Sequence, residues 1–366
     1  MKKPCIVTFK GTTPNWGSNF CAGEGVAIIG RAKLGDGVMI RPWSALRGDG
    51  NFLDIGDKCI FMDRSTVHIA DGLYPTKMGH NIAVGRYALV HACTIADNCI
   101  LGDAAVVMDN SNIGEGAVIG AGTLVPPGKT LAGGWFYEGN PAKPVRKITA
   151  DERESCRQEL LTGGRVTPVN LGCELPSLDM GAFLNQTSGV GPLYSFEERN
   201  PQIDPRGYVA PTAAVIGDVR TAEGTSVWFS TVMRGAGAPI TLGKNSNVQD
   251  NSILVTDANR GPISIGQDVT VGHNVRMGAC QIGNHCLIGM GSEICDNVVV
   301  EDGAIVGARA FVEPGSVVKE GYVWAGRPAS KFRAVKSEEL AYFQRGTDVY
   351  VGYSGTYLAE QMANST

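Results

Sequence analysis

The sequence predicts a mainly β chain of two left-handed parallel β-helix domains, each followed by a C-terminal α-helix. Three observations carry that expectation. Aliphatic residues recur every six positions, glycine stands behind many of them, and the whole pattern occurs twice.

The six-residue spacing is clearest late in the chain, at Ile282, Ile288, Ile294, Val300, Val306, Val312 and Val318. Upstream, Ile265, Val271 and Met277 keep it, with one five-residue step to 282. The first half reads Met78, Val84 and Val90, takes its short step, and continues as Ile95, Leu101, Val107, Ile113, Ile119, Val125 and Leu131. The period fits neither an amphipathic helix nor an alternating strand. It is the signature of a hexapeptide β-helix, in which each hexad supplies one short strand and one corner. Glycines behind the aliphatics (Gly79, Gly85, Gly102, Gly114, Gly120, Gly266, Gly272, Gly283, Gly289, Gly307) are expected to supply the backbone freedom that corners need. Stacked coils bury one continuous aliphatic column, so no hexad is stable alone. Hexapeptide repeats are associated with the left-handed form, a departure from the usual right-handed crossover.

The duplication has a constant offset of 187: Ile29-Gly30 returns as Ile216-Gly217, Arg47 as Arg234 and Pro141 as Pro328. A length of 366 residues suits two or three domains. The expected order is an N-terminal extension (1–25), the first β-helix and its helix (26–162), and a linker rich in Gly, Pro, Ser and Asn (163–203). The second β-helix and its helix (204–348) and a tail (349–366) follow. Thr149-Ala150-Asp151-Glu152 is a capping box that opens a polar helix to about Leu161. Ser337, Glu338 and Glu339 open the second helix, whose apolar residues are Leu340, Tyr342 and Phe343. Tyr350, Tyr353 and Tyr357 either dock a partner or pack on their own domain.

The net charge is −4 and no lysine- and arginine-rich run is present, which gives no electrostatic case for nucleic acid. The ten cysteines form no CxxC, and Cys93, Cys280 and Cys286 fall at apolar repeat positions. They read as small buried hydrophobes of a reducing compartment. The start lacks the apolar region of a secretory signal, and no apolar run is long enough to span a membrane.

The histidines are split between the copies. At the 187 offset His68 maps to Val255, His91 to Gly278 and His273 to Arg86, so the two copies hold a complementary three. Packed side by side, they could assemble an open three-histidine zinc site. His80 and His285 lie in Gly- and Asn-rich corners and are expected to be solvated.

These motifs resemble those of the γ-class carbonic anhydrases. The second copy reads Val227-Trp228-Phe229-Ser230-Thr231-Val232-Met233-Arg234, then Asn247-Val248-Gln249-Asp250, then Val269-Thr270-Val271-Gly272-His273. The first copy gives Leu46-Arg47-Gly48-Asp49, Met62-Asp63 with His68 five residues on, and Val90-His91-Ala92-Cys93. Hexads alone would fit acyltransferases too; the Arg-Gly, Gln-Asp and His spacings together are more specific.

The resemblance implies sites at subunit interfaces, with two ligands from one subunit and the third from its neighbour. Carried over, His68 and His91 are the pair and His273 is the neighbour's ligand, holding one Zn2+ per chain. Zinc lowers the pKa of its water to about 7, the basis of carbon dioxide hydration in this family. A second site is excluded: Val255 and Gly278 cannot ligate, and neither can the permanently protonated guanidinium of Arg86. Gln249, Arg47 and Asp49 are the catalytic candidates. Met62 stands where Gln249 has its counterpart, so a glutamine required from the first copy would be missing. Ala236 stands opposite Asp49, so one Arg-Asp pairing is absent from the second copy. Arg47 and Arg234, with Asp63 and Asp250, resemble the family's interface charge pairs, read as structural before catalytic.

The second copy is most similar to the γ-carbonic anhydrase-like subunits of mitochondrial respiratory complex I, through the stretch from Ile203 and that from Trp324 to Phe332. This implies a structural accessory subunit that supplies two of the three β-helices of a trimer. A third γ-carbonic anhydrase-like subunit would close the ring, and membrane-arm subunits of complex I would be the other partners. The implied location is peripheral, on the matrix side of the mitochondrial inner membrane, with the cytoplasm as the alternative. An active zinc carbonic anhydrase is the alternative function, and a hexapeptide acyltransferase using acetyl-coenzyme A the weakest.

Overall fold

The computed structural model describes residues 4–163, 187–188 and 192–363. The chain divides into two compact units, Met1–Asn170 and Leu171–Thr366. Each is a parallel β-helix of stacked coils, as the hexads predict.

In the first unit Val107 pairs with Val125, so a regular coil is 18 residues, or three hexads; the coil from Val90 to Val107 contains the short step and is 17. Three faces result. One carries Thr66–His68, Leu89–His91, Val106–Val107 and Leu124–Val125; a second carries Thr76–Met78, Thr94–Ile95, Asn112–Ile113 and Thr130–Leu131. The third runs from Cys21–Ala22 to Trp135–Glu138. The long strand Ala45–Ile55 joins the first two faces, pairing with Thr66-Val67 at its start and with Thr76–Met78 at its end. An antiparallel hairpin, Trp135–Glu138 with Lys143–Lys147, closes the stack. The second unit repeats the design. Val232–Leu242 pairs with Ile253–Thr256 and Ile263–Ile265, and Tyr322–Gly326 with Ala329–Ala334 is the closing hairpin. The six-spaced aliphatics point inward: Val84, Val90, Ile95, Leu101, Val107, Ile113, Ile119 and Val125 belong to one buried cluster.

The corners correct one expectation. Left-handed φ recurs every sixth residue, at Asn98, Ala104, Asn110, Gly116, Gly122, Gly128 and Gly134. It recurs again at His285, Gly291, Asn297, Gly303, Arg309, Gly315 and Gly321, the same positions at the 187 offset. These residues lie three places beyond the inward aliphatic, not one. The glycine directly behind the aliphatic has ordinary φ and serves close approach instead. A Cβ on Gly102 would lie 2.5 Å from the backbone nitrogen of Ala121, and one on Gly289 the same distance from that of Ala308. Coils stack at strand spacing, and a side chain there would push them apart.

Cys93, Cys280 and Cys286 are buried free thiols, and burial pushes Cys286 up to about 12. Cys295 departs from the expected free thiols and is disulfide-bonded.

The first helix, α1, spans Ala150–Thr162 and starts at the expected capping box. Glu152 accepts from Thr149 N (2.8 Å) and from Arg146 Nη1 (2.8 Å). The second helix, α2, spans Ser337–Ala363, and its cap repeats that of α1: Glu339 accepts from Lys336 N (2.9 Å) and Arg333 Nη2 (2.6 Å). Of its expected apolar residues, Phe343 is half-buried and Leu340 exposed, while the side chain of Tyr342 lies outside the described residues.

α2 continues through the stretch set apart as a tail. Tyr350, Tyr353 and Tyr357 are buried against their own unit, with the Trp228 ring 5.0 Å from Tyr350 and 5.4 Å from Tyr357. Most of 163–203 lies outside the described residues, but Leu193–Phe196 is a strand pairing with Ala214–Thr221. Within 1–25, Cys5–Val7 pairs with Ala27–Ile29.

Gly102→Ala is expected to cost about 1–3 kcal/mol in urea unfolding, because the intruding Cβ meets backbone rather than a yielding side chain. The hydrogen bonds from Arg333, followed by that from Lys336 N, lower the Glu339 carboxyl from 4.5 to about 2. A depressed folded value means stability that is fully present above 4.5 and lost as pH falls toward about 2. Glu339→Gln should therefore lower the thermal midpoint at neutral pH, and its deficit against the parent should shrink as pH falls through that range.

Candidate metal centre

Strand alternation sends the residue after an inward valine outward. Val67 and Val90 are inward, so His68 and His91 project side by side from adjacent rungs in direct register. Their ring centroids are 5.3 Å apart, and both side chains are buried. Each ring meets a carboxylate. His68 Nε2 is 3.1 Å from Asp49 Oδ1, and His91 Nδ1 is 2.6 Å from Asp109 Oδ1. Asp49 Oδ2 accepts from Arg47 Nε (3.1 Å) and Nη2 (2.6 Å), and the Arg47 side chain is fully buried. Burial opposes ionisation of Asp49, but Arg47 and His68 outweigh it and hold the carboxyl well below the usual range. At Asp109 burial is likewise outweighed by His91. Thr76 Oγ1 donates to the His68 carbonyl at 2.5 Å, anchoring the backbone beneath the ring.

In the second unit His273 is buried, with Nδ1 3.0 Å from Asp250 Oδ2 and Nε2 3.5 Å from the Tyr350 hydroxyl of α2. Val248 pairs with Val271, which sets Gln249-Asp250 beside Gly272-His273 on neighbouring rungs. Gln249 is buried; its Nε2 donates to Asn247 Oδ1 (3.3 Å), and its Oε1 has no hydrogen-bond partner among the described residues.

Within the first unit His68 and His91 each have one ring nitrogen on a carboxylate, which favours the tautomer whose opposite nitrogen keeps its lone pair, the form in which imidazole ligates zinc. In the second unit His273 has Nδ1 near Asp250 and Nε2 near the Tyr350 hydroxyl. Asp109 and Tyr350 were not identified from the sequence. Asp109 was readable there, since it stands one 18-residue coil beyond His91. Tyr350 was not, because nothing in a helix sequence says which rung it meets.

The substituted positions have their own occupations. Arg86, at the place of His273, bonds Asp103 through its backbone N (2.8 Å) and Nη1 (3.4 Å), and its Nη2 donates to the Leu160 carbonyl of α1 (3.2 Å). It fastens the last turn of the helix to the solenoid. Val255 is buried apolar surface at the place of His68. Opposite Ala236, Arg234 lies over the Phe196 ring at 5.4 Å. Within the first unit Asp63 lies 3.8 Å from Arg41, while Arg47 is held by Asp49. The side chains of His80 and His285 are 59% and 51% exposed, as solvated corners should be.

No family model matches the chain. It is 34% identical over 195 residues to "Gamma carbonic anhydrase 1, mitochondrial" of Arabidopsis thaliana, covering 52% of this chain and 70% of that one. It is 36% identical over 174 residues to "Carbonic anhydrase" of Geobacillus kaustophilus, covering 48% of this chain and 95% of the relative. Each alignment takes about half of the chain, as one copy of a duplicated pair would. A solved structure, a putative acetyltransferase from Desulfovibrio desulfuricans, matches 97% of this chain and 80% of its own with a TM-score of 0.54. At 13% identity that likeness concerns the fold alone.

Asp49→Asn removes the carboxylate charge that takes two hydrogen bonds from the buried Arg47 guanidinium, and a loss of about 3–5 kcal/mol is expected in urea unfolding. The paired change Arg47→Met with Asp49→Leu should cost less than the single change, because the buried guanidinium is removed together with its carboxylate.

Proposed function

Because the chain belongs to the γ-carbonic anhydrase family, we propose that it is a fused two-β-helix subunit retaining one zinc site competent for carbon dioxide hydration. His68 and His91 of the first unit and His273 of the second would hold the metal.

One observation carries this reading: each unit keeps a different half of the site, and keeps it whole. The first unit holds His68 and His91 together with Asp49, Arg47 and Asp109. The second holds His273 together with Asp250 and Gln249 on adjoining rungs. The opposite halves are altered together, with Arg86 and Met62 in the first unit and Val255, Gly278 and Ala236 in the second. Decay without function would have no reason to spare one complete complement. In this reading the glutamine of the shared site would come from the second unit, where Gln249 adjoins the His273 rung, and none is needed at Met62.

When bound, zinc supplies Lewis acidity that makes its water acidic near neutral pH. The protein's own groups prepare for that chemistry. Asp49 and Asp109 hold two rings in fixed tautomers, and Asp250 lies 3.0 Å from the third. The Gln249 carbonyl oxygen, buried beside His273, is an acceptor able to orient a water proton. Val67, Val90 and Val271 keep the strands rigid beneath the ligands.

In the same reading, the two β-helices are two members of a three-helix ring that a third γ-carbonic anhydrase-like protein closes. The ring would sit peripherally on the matrix side of the mitochondrial inner membrane as part of respiratory complex I. Relatives named as mitochondrial γ-carbonic anhydrases support the compartment. Among the described residues no helix is long and apolar enough to cross a membrane.

Zinc per chain in the native assembly, together with stopped-flow hydration of carbon dioxide, tests the site. About one zinc per chain is expected, lost with activity in His273→Ala. Asp109→Asn should weaken zinc binding by about 10–100-fold. Gln249→Ala should keep the metal and lower kcat. Zinc retained in His273→Ala, or absent from the parent, would reduce the protein to a scaffold. A native mass accounted for by this polypeptide alone would sink the ring.

A further inference from the structure

A groove of about 390 Å3 opens within the second unit, between α2 and one edge of the solenoid. Its volume falls in the range of small-molecule sites, about 300–1,000 Å3. On the solenoid side, Thr270, Leu287, Ile305 and Val323 stack in register, so the corners at Asp268, His285, Gly303 and Gly321 rise on successive rungs. On the helix side stand Leu340, which is 47% exposed, Phe343 and Gln344. The groove holds three carboxylates, Asp268, Asp302 and Glu320, and neither lysine nor arginine. Asp268 accepts from Asn245 Nδ2 (3.0 Å) and lies 3.7 Å from His285 Nδ1. Asp302 accepts from Asn284 N (2.8 Å) and Nδ2 (3.2 Å). Lys244, one rung before Asp268, is paired with Glu223 at 3.4 Å, and Lys319, next to Glu320, with Glu301 at 2.6 Å.

The first unit fills the same place with cations of its own. At the 187 offset Leu340 and Gln344 stand opposite Arg153 and Arg157 of α1. Arg157 Nη1 donates at 2.9 Å to the carbonyl of Asn81, the counterpart of Asp268. The Arg153 guanidinium covers Gly116, the counterpart of Gly303: a Cβ there would lie 2.7 Å from Nη1. The second unit has lost both guanidiniums, and it has gained carboxylates where the first has Asn81 and Gly133. Where one copy supplies two cations from its own helix, the other presents more negative charge and leaves the space open.

We propose that this groove binds a linear aliphatic polycation of the spermidine type, with positive charges spaced along a methylene stem. The carboxylates do not gather at a point; among the described residues none of them belongs to a converging set of three metal ligands. Asp268 and Glu320 are three rung steps apart, about 14 Å along the solenoid at strand spacing. Separated negative charges match separated positive ones, which disfavours a compact divalent ion. A single arginine side chain from a partner would leave carboxylates unanswered. Leu340, Phe343 and Ile305 offer apolar surface to the methylenes between the charges. α2 itself forms one wall, so the opening suits a slender chain and not a further helix of about 10–12 Å diameter. The zinc ligands take no part.

The test is calorimetric titration of the full chain with spermidine, putrescine, Mg2+ and the peptide acetyl-Ala-Arg-Ala-amide, at low and constant ionic strength because exposed charges are readily screened. Spermidine should bind one site, more tightly than putrescine, with Mg2+ and the peptide weaker still. Asp268→Asn and Asp302→Asn should each weaken spermidine roughly two- to fivefold, whereas Glu313→Gln, an exposed carboxylate outside the groove, should leave it unchanged. Leu340→Arg with Gln344→Arg, which gives α2 the residues of α1, should abolish binding and raise the thermal midpoint. Spermidine binding no tighter than Mg2+ would overturn the proposal, as would binding that survives the double arginine variant or falls equally in Glu313→Gln. The peptide binding as tightly as spermidine would assign the groove to a partner's arginine instead.

Discussion

Between neighbouring coils, the backbone of one rung hydrogen-bonds to that of the next, and strand spacing allows no slack for anything that would part them. Glycine at positions such as Gly102 and Gly289 is the sequence's answer, since a Cβ would collide with the next backbone. From that stacking follows the register, and from the register the placement of every candidate ligand. His68 and His91 are neighbours because Val67 and Val90 stack in the core. Gln249 and Asp250 adjoin His273 because Val248 stacks on Val271. The carboxylates that steady the rings arrive by the same rule, from other strands of the same solenoid.

Duplication lets the two units serve as references for each other. Their caps share a plan, with Glu152 and Glu339 each receiving an arginine and a backbone N–H. Their left-handed corners match at the 187 offset from Asn98 with His285 to Gly134 with Gly321. Against that background the units differ at the ligand positions, at Arg86 with its bond to α1, and in the aromatic packing of α2 on Tyr208 and Trp228.

The fold was legible in the sequence because a hexad repeats its own constraint: one inward aliphatic per strand, recorded every six residues over many coils. The histidine set was legible for a related reason, since a fixed offset exposes which positions are complementary. Corner chemistry was misassigned, because glycine serves both left-handed turns and close approach, and sequence alone does not separate the two. The Asp109 support was within reach of simple counting by coils. The Tyr350 contact with His273 was not, because α2 has no periodic tie to the solenoid it covers, and its docking depends on the shape of the Trp228 surface. The disulfide at Cys295 lay outside any spacing rule.

The 18-residue coil also sets a reading frame for change along the chain. Removing or inserting one whole coil would carry every later residue up or down the prism and leave it on its own face. A shift of six would turn the remainder of the solenoid by one face, and a shift of any other length would drive aliphatics out of the core. His91 and Asp109 are already a full coil apart, so the rungs beyond Asp109 act as a footing whose height is free to vary in whole steps. Length variation in such a chain is quantised, and the site near its first rungs is insulated from it.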